Sequence, residues 1–155
     1  LGVIPEIRVI TPYEKERVKA EASHFIDEIL RDFLARTHMP VALPVWKWSP
    51  EWPFVFYPPD LILVPNGVVI LSWIYDEEKT KRALKFSLGH EYAHYLQYQT
   101  RPRLWGRWGS EVGADIQATR LTGITPRENQ VLWNELITGV VATKGLRSPL
   151  FEVLT

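Results

Sequence analysis

The sequence predicts a single α+β domain over residues 1–155: an N-terminal helix, a small and mostly antiparallel sheet, then three more helices packed on one face of that sheet. Three observations predict it. Apolar residues recur at helical spacing from Val18 to Phe33. Between Pro40 and Ile74 the texture changes to short β-branched and aromatic runs broken by prolines. Beyond Asp76, helix start and stop signals punctuate the rest of the chain.

The first helix is predicted over Pro12–Thr37. Thr11-Pro12-Tyr13-Glu14 reads as its start, with Thr as the N-cap, Pro at the first position and Glu closing a capping box. Val18, Ala22, Phe25, Ile29 and Phe33 supply the buried stripe. Strands are expected at Val41–Trp48, Phe54–Tyr57, Leu61–Val64 and Val68–Ile74. Pro65-Asn66-Gly67 is a tight-turn signal, so the last two strands are expected to form a hairpin. Asp76 opens a helix predicted to run to Gln99, with acidic residues in its first turn suiting the positive end of the helix dipole. A loop from Arg101 to Gly109 follows. Ser110 is expected to cap a third helix that Gly123 ends, and Thr125-Pro126-Arg127-Glu128 repeats the first start signal for a helix reaching Thr143. Residues 144–155 form an apolar tail.

Composition narrows the function classes. Eighteen Lys plus Arg balance eighteen Asp plus Glu, which argues against a phosphate-neutralising surface, so no nucleic-acid partner is expected. With no cysteine in the chain, any metal site must be built from His and carboxylates. The absence of cysteine is compatible with a cytoplasmic setting. No apolar run approaches the roughly 18 residues needed to span a bilayer. The chain opens with Leu rather than Met, which leaves room for a removed leader. The seven tryptophans are read as packing residues with polar edges, Trp105 and Trp108 in the loop included.

One constellation carries chemistry. His90-Glu91-Tyr92-Ala93-His94 fits H-E-x-x-H and lies inside a predicted helix. Residues four apart share a helix face, so both imidazoles can reach one tetrahedral cation. Glu91 sits beside that cation rather than on it, placed to take a proton from a metal-bound water. A catalytic zinc needs a third protein ligand and an open fourth position. Glu111 and Asp115 stand four apart on the third predicted helix, and the loop before it can return Glu111 toward the histidines. Asp115, one turn deeper, can accept the N–H from the far nitrogen of a ligand histidine, which orients the ring and raises its basicity.

This pattern, H-E-x-x-H with a downstream E-x-x-x-D on a second helix, resembles that of the gluzincin zinc metallopeptidases. In size the chain resembles the minigluzincins, and it also resembles the phage anti-repressor type of peptidase, which commonly carries Asn where this chain has Asp115. The resemblance spans about Leu61–Leu121. It implies one Zn2+ per chain held by His90, His94 and Glu111, with Glu91 as general base and then general acid and Asp115 supporting a ligand histidine. It also implies that a strand at Val68–Trp73, through Val69, Ile70 and Leu71, borders the cleft and pairs with an extended peptide or protein substrate. No H-x-x-G-x-x-H extension follows, so the metzincin pattern fails. Tyr92, Tyr95, Tyr98, His38, Arg103 and Arg120 are candidate oxyanion donors. The expected activity is zinc-dependent endoproteolysis. The alternatives are a regulatory peptidase with a single protein target, a non-catalytic zinc-binding domain, and a latent form with Leu1–Ile10 or Gly145–Thr155 lying in the cleft.

Overall fold

The computed structural model describes residues 10–106 and 110–143. Residues 1–9, the apolar tail 144–155, and Trp108 and Gly109 of the loop lie outside the described residues. The elements run α1 (Pro12–Thr37), β1 (Val45–Ser49), β2 (Val55–Tyr57), β3 (Leu61–Pro65), α2 (Asn66–Tyr75), α3 (Glu77–Thr100), a short 3-10 turn (Pro102–Leu104), α4 (Ser110–Thr122) and α5 (Pro126–Ala142).

The start signals act as their chemistry requires. Thr11 accepts a hydrogen bond from the Glu14 N–H, Asp76 from the Lys79 N–H and Thr125 from the Glu128 N–H. α1 ends at His38 in the left-handed region (φ 52°), and α4 ends at Gly123 (φ 72°), where a side chain would be strained. α1 buries Val18, Ala22, Ile26, Ile29, Leu30 and Phe33, while Phe25 sits at the edge of this stripe against Trp73. α4 starts at Ser110 itself, which makes Ser110 its first residue rather than the residue before it.

The sheet has three strands in the order β1-β3-β2. β1 runs parallel to β3, pairing Val45 with Leu61 through Ser49 with Pro65, and β2 runs antiparallel to β3, pairing Val55 with Leu63. The sheet is therefore mixed rather than mostly antiparallel. The physical reason is that β2 takes the outer position and β3 returns between it and β1, a choice made by packing rather than by any turn signal. Ile62 and Val64 of the central strand are fully buried.

The expected hairpin does not form. Asn66 begins a helix, and Val68–Ile74 lies in α2, whose residues Gly67 to Trp73 are all buried. This corrects the strand at Val68–Trp73 and the role given to Val69, Ile70 and Leu71, which at 0–1% exposure present no edge to a substrate. A continuous apolar run has no period to separate a buried helix from a buried strand. α2 packs against α1, α3 and α5 and satisfies its backbone within itself, whereas a strand there would need partners along both edges.

Four indole N–H groups tie the layers together. Trp46, Trp48 and Trp73 donate to Asp27, Ser23 and Glu21 on α1, and Trp133 donates to Ser87 on α3. Trp105 packs edge-on against Phe56 and Tyr98. The packing reading of the tryptophans therefore holds for these residues. No helix among the described residues is long and apolar enough to cross a membrane.

Candidate metal centre

α3 is buried along its middle, from Ala83 to Tyr95, and α4 packs along it. The approach depends on small residues. A Cβ added at Gly89 would lie 3.4 Å from both the Cα and the Cβ of Ala118. Ala93, Ala114 and Ala118 are buried in the same region. Helices whose contact is made of Gly and Ala come close together, and this brings the first turn of α4 alongside the middle of α3.

Glu111 stands in that first turn and reaches both histidines. Its Oε2 lies 3.0 Å from His90 Nε2, and its Oε1 lies 2.9 Å from His94 Nε2. The two Nε2 atoms are 3.1 Å apart. Donors on a tetrahedral zinc with bonds of about 2.0–2.1 Å lie about 3.3 Å from one another. The two imidazole nitrogens are close to that spacing, and each is met by a different oxygen of Glu111.

The outer hydrogen bonds explain why these three atoms can converge. Asp115 Oδ1 accepts from His90 Nδ1 at 2.8 Å. Gln97 Oε1 accepts from His94 Nδ1 at 2.9 Å. Gln97 Nε2 in turn donates to the Ser110 carbonyl at 2.8 Å, which fixes which end of the amide faces the ring. With both Nδ1 atoms donating, each neutral imidazole turns a lone pair at Nε2 toward the Glu111 carboxylate. Three acceptors facing one another repel unless a cation or an extra proton lies among them. The donor set therefore fits a divalent metal, and His90, His94 and Glu111 could coordinate a single Zn2+.

Glu91, one residue after His90, is buried beside the triad, where the Phe56 backbone of β2 meets it. Burial first, and the negative charge of Glu111 second, push its carboxyl up to about 8 against the opposing Phe56 backbone N–H of β2. Glu91 and His90 line a cleft of about 280 Å³ whose walls include Trp52, Phe54, Phe86, Asp115 and Trp133. A larger groove of about 540 Å³ lies on the other side of the α3–α4 pair, bordered by Arg36, Ala93, Gln97, Gly113 and Arg120. The smaller cleft is the one that adjoins chemistry, because Glu91, His90 and Asp115 open onto it and none of them borders the larger groove.

The structure thus brings His90, Glu91, His94, Glu111 and Asp115 together and leaves Val69, Ile70 and Leu71 in the core. None of the candidate oxyanion donors lines the smaller cleft. Tyr92 pairs with Thr37, Tyr95 donates to the Ala42 carbonyl, and Arg120 lies on the larger groove. Sequence reasoning missed Gln97, although its place three residues after His94 puts it on the same helix face. It also missed the backbone of Phe56, which no sequence signal marks.

No protein-family model, curated protein or solved structure matches this chain. The site and the fold still define a class. His90-Glu91-x-x-His94 with Glu111 matches the H-E-x-x-H plus downstream Glu zinc-binding motif of the gluzincins. The order of N-terminal helix, small mixed sheet, motif helix, ligand helix and C-terminal helix matches a minimal gluzincin-like fold. Such a triad is consistent with a metallopeptidase fold.

Proposed function

We propose that the protein is a zinc-dependent endopeptidase that hydrolyses peptide bonds in a peptide or protein substrate. The observation that carries this reading is the convergence of His90 Nε2, His94 Nε2 and Glu111 within 4.8 Å, beside a buried carboxyl that is not part of the triad. His90, His94 and Glu111 would hold the metal, and Asp115 would keep His90 in the binding tautomer. A zinc ion supplies Lewis acidity there and lowers the pKa of a coordinated water toward about 7.

The remaining steps belong to the chain. Glu91 takes the water's proton as general base and later gives it to the leaving amine nitrogen as general acid. Its burial suits both roles, because a carboxyl shielded from solvent holds a proton that an exposed one would release. β2 is an outer strand of the sheet, and its Phe56 N–H already meets Glu91. It therefore replaces Val69–Leu71 as the strand along which an extended substrate backbone would lie. The apolar walls of the adjoining cleft would receive a substrate side chain.

Metal content per chain, measured beside His90→Ala, tests the site. About one zinc per chain, lost in the variant, is expected. Peptide cleavage by Glu91→Ala tests the chemistry: zinc should be retained while turnover drops by about 10²–10⁴-fold or more. Full activity in Glu91→Ala would remove Glu91 from the mechanism. Retained zinc with no cleavage by the wild-type chain would favour a non-catalytic zinc domain.

A further inference from the structure

The geometry points to Gln97 as a positioning residue that bridges the two ligand-bearing helices and so sets the spacing of the metal triad. Its side-chain amide spans the gap between α3 and α4. Oε1 accepts from His94 Nδ1 at 2.9 Å, and Nε2 donates to the carbonyl of Ser110 at 2.8 Å. Ser110 immediately precedes Glu111, the one ligand not carried by α3. The amide also lies beside Gly113, where an added Cβ would come within 3.3 Å of Nε2. One planar group thus touches the second histidine, the first residue of the third ligand's helix and a glycine that leaves room for it.

The chemistry of an amide is what this position requires. His94 Nδ1 needs an acceptor, and the Ser110 carbonyl needs a donor, so the bridging side chain must offer both on one rigid plane. A carboxylate offers only acceptors, an ammonium only donors, and an aliphatic chain neither. Asn carries the same groups on a side chain one methylene shorter and cannot span the same gap. Glu111 itself is 73% exposed and has no other described anchor beyond the histidines. Its position is therefore inherited from the start of α4, which Gln97 ties to His94. The Asp115–His90 pair anchors the same helix one turn further on. The two outer contacts together fix α4 against α3 at both ends of the triad.

This inference rests on the metal-centre reading, and the experiment separates the two. Zn2+ affinity is measured by competition with a chromophoric chelator for wild type, Gln97→Met, Gln97→Glu and Thr100→Ala. Visible spectra of the Co2+-loaded forms and denaturant unfolding of the metal-free forms accompany it. Thr100 borders the same groove and bonds only within α3, so its variant should bind like wild type. Gln97→Met keeps the volume and loses both contacts. It should bind zinc about 10–100-fold more weakly, with shifted Co2+ bands, in a chain that still unfolds cooperatively when metal-free. Gln97→Glu restores an acceptor for His94 but sets a carboxylate oxygen against the Ser110 carbonyl, so it too should bind more weakly than wild type. Wild-type affinity in Gln97→Met would overturn any role for Gln97. Wild-type or tighter affinity in Gln97→Glu would overturn the bridge, since orienting His94 would then suffice. A wild-type chain that takes up no zinc would overturn the metal centre and this inference with it.

Discussion

At the scale of single residues, function depends on which lone pairs and protons face which way. Asp115 and His90 form one such pair at 2.8 Å. Asp115→Asn keeps the shape and an acceptor oxygen but removes the charge, so zinc affinity or activity should fall by about 10–100-fold. Glu111→Ala removes a ligand outright and should cause a much larger loss of zinc in the same titration. Glu91 supplies a pH dependence. Burial first, and the Glu111 charge second, raise its carboxyl from 4.5 to about 8 in the folded, metal-free chain. The folded state then holds a proton that the unfolded chain releases above pH 4.5. The stability from neutral Glu91 is thus fully present below 4.5 and is lost as pH rises to about 8. Denaturant unfolding of chelated protein should show wild type weakening between pH 5 and pH 9 by on the order of a few kcal/mol. Glu91→Gln should remove most of that slope. An equal slope in the variant would place the titration elsewhere. A bound dication works the other way, drawing the carboxyl down toward its charged form.

At the scale of elements, the decisive contact is between α3 and α4. Gly89 precedes the first ligand, and a Cβ there would lie 3.4 Å from Ala118, which leaves room for a methyl group and little more. An alanine there fits at ordinary contact distance, and the helix interior gains about 0.5–1 kcal/mol from losing a glycine. Gly89→Ala should therefore be neutral or slightly stabilising. Gly89→Leu must push the helices apart, costing about 1–3 kcal/mol and carrying Glu111 away from the histidines. Thermal unfolding and zinc titration of the two variants check this together. A stable, zinc-competent Gly89→Leu would mean that α4 is not held by close packing. α2 shows the same dependence on neighbours. Its residues Val68–Ile74 favour strand on local grounds, yet α1, α3 and α5 enclose the segment and leave no strand partner for it.

At the scale of the whole molecule, the core does not need the metal. One continuous cluster joins α1, the sheet, α2, α3 and α5 through residues such as Phe33, Ile62, Val69, Leu88 and Leu136. The triad lies at the edge of this cluster, with Glu111 largely in solvent. A chelated chain should therefore keep its helical circular dichroism, unlike small zinc folds that unfold without metal. Zinc should still raise the melting temperature, because a ligand at about 1,000 times its dissociation constant contributes about 4 kcal/mol. For a chain of this size each kcal/mol corresponds to roughly 2–4 °C. Loss of helical signal on chelation would mean that the metal holds the fold.

Local chemistry determined what was legible in the sequence. Thr11, Asp76 and Thr125 mark helix starts because a side-chain oxygen satisfies an exposed backbone N–H wherever it occurs. The H-E-x-x-H spacing places two imidazoles on one face because the helical period requires it. Tertiary structure decided the rest. Only the packing of α2 made a buried helix of an apolar run, and only the return of β3 between β1 and β2 made the sheet mixed. Only the Gly89–Ala118 approach brought Glu111 within 3.0 Å of His90, and only the gap between α3 and α4 gave Gln97 its two partners. Caps and helical period act over a few residues of one chain segment. Burial, strand order and the distance between helices are set by atoms far apart in sequence, and no local pattern records them.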